Sequence, residues 1–264
     1  MLTVRHYCAH CRVYVREDAL RIVTVGRTEV AACPTCGTVV TRETSRTVAS
    51  SDRRLSSALS FPFTRAALPW TAGVAFVVAV LSLVPRAGAF AESVALAAGF
   101  VLLRSVARGR AAPSNVEASD LGDAPGFAFL RPLLGFVFAL VVSFGASFGL
   151  ALAGVDRWAV GLAAAVGFAI FPAMLVTVAF GDGARLAQIV GAAQIVRRIP
   201  GPYFKLVALL LGVWGVAYAL ARVLTGDDPS VMGLLWARQV GLYAVLVSAH
   251  LLGALVRDYE DELS

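Results

Sequence analysis

The stretch LLGFVFALVVSFGASFGLALAGV, Leu133–Val155, carries no charged residue and is long enough to cross a lipid bilayer as one α-helix. A helix needs about 20 apolar residues to span about 30 Å of hydrocarbon. The other apolar runs are equally continuous and lack the alternation of a barrel strand. Six spans are predicted, at residues 66–84, 87–106, 133–155, 158–180, 203–224 and 234–256. They predict an all-α polytopic membrane domain over 66–257.

The composition separates this domain from what precedes it. Of the 264 residues, 58% are hydrophobic and 15% are charged, whereas soluble domains have about 45–50% and about 25%. Residues 1–65 are instead rich in Arg, Ser and Thr. We therefore predict a small soluble module over 1–42, a basic juxtamembrane linker over 43–65 and an acidic tail over 258–264.

Basic residues predict the orientation of the six spans. Nineteen Arg and Lys residues fall on the side that holds both termini, and four fall on the opposite side. The positive-inside rule then places both termini in the cytoplasm. Lys205 is the single Lys among 23 basic residues, a bias that suggests a GC-rich bacterial genome. The expected location is therefore a bacterial inner membrane.

Two long cytoplasmic connections are predicted. Residues 107–132 contain Pro, Gly and Asp and are typical of a linker. Residues 183–199 are amphipathic, and two readings stay open: a helix at the inner interface, or an extension of the fourth span. Pro200 and Pro202 cannot continue a helix and should end this segment.

The four cysteines stand in two C-x2-C pairs, YCAHC at residues 7–11 and CPTCG at residues 33–37. Each pair can turn two thiolates toward one ion, and two pairs complete a tetrahedral shell of four sulfurs. Between the pairs, RIVTV at 21–25 alternates as a strand would and VGRTE can turn. The predicted metal ligands are Cys8, Cys11, Cys33 and Cys36.

This layout resembles a zinc ribbon. The resemblance implies a β-rich fold over 1–42, with Pro34 shaping the second turn and Gly37 relieving the backbone after its second ligand. It also implies backbone amides directed toward the sulfurs. The expected cofactor is structural Zn2+, with an S4 iron site as the lesser alternative. A redox dithiol would need only one pair, near a helix start, and disulfides are not expected in the cytoplasm.

A shell of four thiolates leaves no open position for water or substrate, so we expect a structural metal and not a catalytic one. The module is too short to bury a large core, and the metal should be its main stabiliser. His6 and His10 are expected at the surface. The tail lacks a dense basic stripe, which makes nucleic-acid binding a minor alternative.

Few ionisable residues fall at membrane depth, where transporters keep them. Glu92, Arg104 and His250 are the candidates, and we interpret His250 as a helix–helix hydrogen bonder ahead of a proton relay. Pro172 should kink the fourth span. Glycines should allow close helix packing within or between chains. They include Gly145, Gly149, Gly161, Gly167, Gly212 and Gly215.

The stretch FPAMLVTVAFGDGARLAQIVGAAQIVRRIPGPYFKLVALLLG, Phe171–Gly212, joins a proline-bearing helix, an amphipathic segment and a further helix. It resembles the Yip-type and related uncharacterised six-helix bacterial membrane families. The resemblance covers a limited part of the chain and transfers no functional residue.

The sequence contains no Ser-His-acid set, H-E-x-x-H motif, Walker A motif or paired membrane carboxylates, so we expect no enzymatic activity. The predicted function is a membrane scaffold or adaptor whose zinc ribbon recruits a cytoplasmic protein partner. The first alternative is a transporter or lipid-handling protein regulated by the ribbon. The second is a membrane-tethered nucleic-acid binder. The lipid bilayer is an expected partner, and the glycine pairs allow a homo-oligomer.

Overall fold

The structure, a computed structural model, describes residues 2–8, 10–11, 13–15, 20–25, 28–46, 51–84, 87–110, 130–181, 186–226 and 230–263. The chain divides into two compact units, residues 1–49 and residues 50–264. Most of the predicted linker 107–132 lies outside the described residues.

The N-terminal unit is built from short antiparallel strands. In one sheet, β1 (Leu2–Cys8) lies between β2 (Val13–Val15) and β5 (Thr41–Arg46). In the other, β3 (Arg21–Val25) pairs with β4 (Thr28–Ala32). The predicted RIVTV strand is confirmed with the same bounds.

Strand pairing places the two cysteine pairs at turns. Cys8 lies opposite Val13 in the β1–β2 register, so the first C-x2-C pair stands where this hairpin reverses. The second pair follows β4, and a bridge between Ala32 and Val39 closes around it. The N–H of Val40 also donates to the carbonyl of Ala31, at 3.0 Å. Both cysteine turns are thus held at their bases by backbone hydrogen bonds.

The second unit is helical. Its helices in the described part of the chain are α1 (Ser51–Ser60), α2 (Leu68–Leu83), α3 (Gly88–Ala107), α4 (Leu130–Leu152), α5 (Arg157–Phe180), α6 (Leu186–Arg198), α7 (Pro200–Thr225), α8 (Val231–Asp258) and α9 (Glu260–Leu263). A 3-10 turn, Phe61–Phe63, follows α1.

Five of these helices are long and apolar enough to cross a membrane: α3, α4, α5, α7 and α8. The first predicted span, 66–84, differs from the expectation. Helix α2 has 16 residues, or about 24 Å at 1.5 Å per residue, which is less than about 30 Å of hydrocarbon. A sixth span results only if Arg53–Phe63 and Leu68–Leu83, bent by 69°, count as one broken span. The segment predicted as a linker therefore contains α1.

Local chemistry explains where several helices begin and end. The side chains of Asp156 and Ser230 accept hydrogen bonds from the N–H groups of Trp158 and Gly233, which caps α5 and α8. Gly181 is extended at the end of α5, so the amphipathic segment forms a separate helix, α6. Helix α6 ends before Pro200, as predicted, and this proline occupies the first turn of α7.

Helices α3 and α8 form the centre of the helical unit. In an apolar 18-residue stretch of each of these two helices, 56% is buried, whereas the corresponding share is 22–28% in α4, α5 and α7. The peripheral helices expose large apolar side chains, among them Leu152, Trp158 and Val223. Such faces are destabilising in water and favourable in lipid, as a membrane protein requires.

Several glycines allow close helix approaches, and a Cβ on Gly135 of α4 would collide with a methyl group of Val178 on α5. A Cβ on Gly253 of α8 would stand 2.7 Å from the carbonyl oxygen of Leu103, and one on Gly99 of α3 would stand 2.8 Å from a methyl group of Val245. A Cβ on Gly167 of α5 would collide with the carbonyl oxygen of Ser143 on α4. Gly167 is thus the one predicted packing glycine whose Cβ would meet a neighbouring helix among the described residues. A Cβ on any of the other five would have no atom of a neighbouring helix within 4 Å among the described residues: Gly145, Gly149, Gly161, Gly212 and Gly215.

A buried tyrosine forms hydrogen bonds with backbone groups beside the proline of α5. Pro172 lies inside this helix and cannot donate a hydrogen bond. One residue further on, the N–H of Ala173 donates to the Tyr203 hydroxyl at 3.1 Å, and this hydroxyl donates to the carbonyl of Ala169 at 2.6 Å. Ala169 and Ala173 would pair directly in an uninterrupted helix. The Tyr203 hydroxyl therefore bridges the opened turn and ties α7 to α5.

We predict opposite effects for the same substitution at two glycines of α5. Gly161→Ala should raise stability by about 0.5–1 kcal/mol, because Ala loses less backbone entropy in a helix and nothing lies within 4 Å of its Cβ. Gly167→Ala should lower stability by about 1–3 kcal/mol through overpacking against the Ser143 carbonyl. Thermal unfolding of the full-length protein in detergent measures both. Equal shifts in the same direction would contradict the α4–α5 packing.

Tyr203→Phe should destabilise the protein by about 1–3 kcal/mol, because it leaves two buried backbone groups without the bridging hydroxyl. Tyr218→Phe, at an exposed position of the same helix, serves as the control. In a Pro172→Ala background the α5 turn can close on itself, so the cost of Tyr203→Phe should fall. An equal cost in both backgrounds would show that the hydroxyl does not serve the proline turn.

Candidate metal centre

The first cysteine turn brings Cys8 and Cys11 together. Cys8 ends β1 and is fully buried, while Cys11 is partly exposed. The N–H of Cys11 points at the Cys8 sulfur, with 3.5 Å between N and Sγ. This is the arrangement in which a backbone donor supports a negatively charged sulfur.

The second cysteine turn is tighter and better defined. The N–H of Gly37 donates to the carbonyl of Cys33 at 2.9 Å, and the N–H of Cys33 donates to the carbonyl of Thr38 at 2.9 Å. Gly37 has a φ of +74°, which L side chains rarely adopt. The predicted role of Gly37 in relieving the backbone is confirmed, and the turn holds Cys33 and Cys36 on one side.

The two turns meet at their sulfurs. The ligand atoms of Cys8, Cys11, Cys33 and Cys36 all lie within 4.8 Å of one another. The Sγ atoms of Cys8 and Cys36 are 3.5 Å apart. All four cysteines are free, so no disulfide joins them. The sequence-predicted ligand set is therefore brought together as one cluster.

Hydrogen bonds favour the thiolate form at the second turn. The Thr38 hydroxyl and then the Thr38 N–H lower the pKa of Cys36 to about 6. The N–H groups of Cys36 and Thr35 lower the pKa of Cys33. These backbone contacts are those implied by the ribbon resemblance. Because metals bind thiolates and not thiols, the turn is prepared for a cation.

The first turn shows the opposite effect. A hydrogen bond with Cys36, followed by burial, raises the pKa of Cys11 to about 12. Like charges this close cannot all form without compensation. Full ionisation of the four sulfurs therefore requires a cation among them.

The donor set fits a tetrahedral metal ion. With metal–sulfur bonds of about 2.3 Å, the edge of a tetrahedral zinc site is roughly 3.8 Å. The sulfurs of the cluster, all within 4.8 Å of one another and 3.5 Å apart in the Cys8–Cys36 pair, are close enough to share one such ion. Four sulfur donors also suit iron, so the geometry is compatible with a metal site without identifying the metal. His10 is exposed and is not among the clustered ligands, and the side chain of His6 lies outside the described residues.

The three ionisable candidates of the helical unit are not brought together. Glu92 is exposed on α3. The Nε of Arg104 donates to the carbonyl of Ala179 at 2.6 Å, near the ends of α3 and α5. The ring of His250 packs on Phe61 with 4.9 Å between centroids, and its Nδ1 is buried with no hydrogen-bond partner among the described residues.

A contact between α1 and α8 was not anticipated from the sequence. Arg54 and Asp258 form an ion pair of 2.9 Å, with side chains 11% and 9% exposed. Further along the same two elements, the Tyr243 hydroxyl donates to the carbonyl of Leu59 at 2.8 Å. The paired residues are more than 180 positions apart, and Arg54 reads as one more basic residue of a juxtamembrane segment. The apolar pair Ala58 and Phe61 at i, i+3, both buried, could have indicated that this segment packs as a helix, but not which helix it packs against.

Comparisons with protein-family models, with curated proteins and with solved structures return no match for this chain.

We predict that the purified full-length protein holds about one zinc ion per chain, as a closed site of four cysteines would. Cys33→Ser should remove most of this metal, because oxygen replaces a sulfur ligand, while His10→Ala should retain it. Elemental analysis by mass spectrometry measures the metal content. Iron at one per chain would contradict zinc, and equal zinc in wild type and Cys33→Ser would contradict the site.

Proposed function

We propose that this protein is a bacterial inner-membrane scaffold or adaptor, whose N-terminal zinc ribbon recruits a cytoplasmic protein partner to the membrane. The sulfur cluster carries the proposal, since all four ligands come from the chain and leave no coordination position for a substrate. On this basis the metal folds the ribbon and takes no part in a reaction. The helices provide the membrane anchor.

The ribbon offers a surface that a protein partner could cover. Three large apolar side chains near the β3–β4 hairpin are exposed: Ile22 at 70%, Val39 at 55% and Val23 at 40%. Such exposure of large apolar side chains on a small unit favours a binding role. Strand β3 pairs only with β4 among the described strands, so its other edge could accept an added strand.

The transporter alternative has less support. It would need a polar cavity reached by Glu92 or His250. The cavity of about 390 Å³ between the long helices is lined by neither residue, and its lining is almost wholly apolar. For nucleic-acid binding, the described side chains near the β3–β4 surface are apolar, apart from the exposed Arg21.

Affinity purification of the full-length protein from membranes, after covalent crosslinking, tests recruitment. Ile22→Asp should lose the captured partner and keep its zinc, because residue 22 belongs to the exposed surface and not to the sulfur cluster. Cys33→Ser should lose both. His10→Asp places the same charge on the other cysteine turn and should lose neither. Capture of the same proteins by wild type, Ile22→Asp and Cys33→Ser would overturn the recruitment proposal.

A further inference from the structure

A cavity of about 390 Å³ lies between five helices of the helical unit. Each of α3, α4, α5, α7 and α8 contributes lining residues from near the middle of its length, and one example from each helix is Phe100, Leu140, Phe168, Trp214 and Ser248. Because these helices have membrane length, the middle of each faces the hydrocarbon region when the unit is embedded. The volume lies within the range of small-molecule sites.

The cavity selects an apolar occupant. No charged side chain is among its lining residues in the described part of the chain. Two polar side-chain groups of the lining bond to each other, because the Nε1 of Trp214 donates to the Ser248 hydroxyl at 3.1 Å. A water molecule needs two to four polar partners to be held in such a place. The walls therefore suit hydrocarbon and not water or a polar solute.

The walls also show where the cavity opens. On the α3 and α8 side its lining is buried, as at Leu103 and Leu252. On the α4, α5 and α7 side most lining residues are partly exposed, although Pro172, Val207 and Leu210 are buried, and Phe168 and Leu211 are exposed by about half. The opening thus faces sideways, toward lipid. A transmembrane helix, about 10–12 Å across, is too wide for this volume.

We infer that this cavity binds one acyl chain of a membrane phospholipid, which enters sideways between α4, α5 and α7. A bilayer surrounds these helices with phospholipid chains, and a linear chain is the narrowest apolar group it supplies. The headgroup stays outside the cavity, because the described lining offers it no charged or unpaired polar group. The inference uses the membrane location of the proposed function but is independent of partner recruitment.

The test follows the fluorescence of Trp214 in the full-length protein in detergent. Trp70, Trp158 and Trp236 are replaced by Phe, so that the remaining tryptophan lines the cavity. Phosphatidylglycerol with a spin label at mid-chain should quench it saturably. Lipid extracts of the extensively washed protein should contain about one phospholipid per chain, as expected for one site.

Two double variants match each other in chemistry. Val207→Phe with Ala249→Phe fills the cavity from α7 and α8 and should weaken saturable quenching by about tenfold or more. Val216→Phe with Ala219→Phe adds the same groups on the exposed face of α7 and should bind like wild type. Ile22→Asp should also bind like wild type, so a failure of recruitment is separable from a failure of this site.

Unsaturable quenching of the wild type, with no retained phospholipid, overturns the inference even if the filled variant aggregates. Equal binding by the filled and exposed-face variants overturns it as well. Saturable quenching by spin-labelled stearic acid but not by the labelled phospholipid would show that the cavity takes free fatty acids instead, and would also overturn it.

Discussion

Four sulfur atoms confined within 4.8 Å of one another set the central constraint on the N-terminal unit. As thiolates the four sulfurs would repel one another strongly. As thiols they would be poor acceptors for the backbone N–H groups directed at Cys33 and Cys36. A tetrahedral cation resolves this conflict, since it binds the sulfurs and offsets their charge. Among the side chains of this unit that the structure describes, Cys8, Ala32, Cys33 and Val40 are buried. We therefore expect its strands to depend on the sulfur cluster more than on an apolar core.

The helical unit meets a different constraint. In hydrocarbon, backbone and side-chain polar groups need partners within the protein. The Tyr203 hydroxyl bridges Ala173 and Ala169 beside Pro172, and Arg104 supplies a donor to the carbonyl of Ala179. The serines of α1 bond back to carbonyls of their own helix. Within the described spans, Ser105, Ser143 and His250 nevertheless keep a buried side-chain atom without a hydrogen-bond partner.

The features that could be predicted from sequence are those encoded locally. Continuous apolar runs indicated the five long helices, Pro200 marked a helix boundary, and the C-x2-C spacing indicated which sulfurs would meet. The bend between α1 and α2 was missed because its turn, around residues 64–67, lies at the edge of an apolar run that looks like one helix. Pairings between distant residues, such as Arg54 with Asp258 and Tyr203 with α5, were also missed. They depend on which helices become neighbours, and no local pattern records that.

The glycines show the same limit. All six packing candidates look alike in sequence, yet only Gly167 has the carbonyl of a neighbouring helix beside it among the described residues.

The two units also differ in how far chemistry constrains their roles. The sulfur cluster admits few interpretations, because its donor set suits a tetrahedrally coordinated metal ion such as zinc or iron. The apolar faces of the helices indicate a lipid environment without indicating a task.

The closed four-cysteine site can be tested by X-ray absorption at the zinc edge of the purified full-length protein. We expect one shell of four sulfur neighbours at about 2.3 Å. A nitrogen or oxygen neighbour at about 2.0–2.1 Å would contradict the closed four-cysteine site.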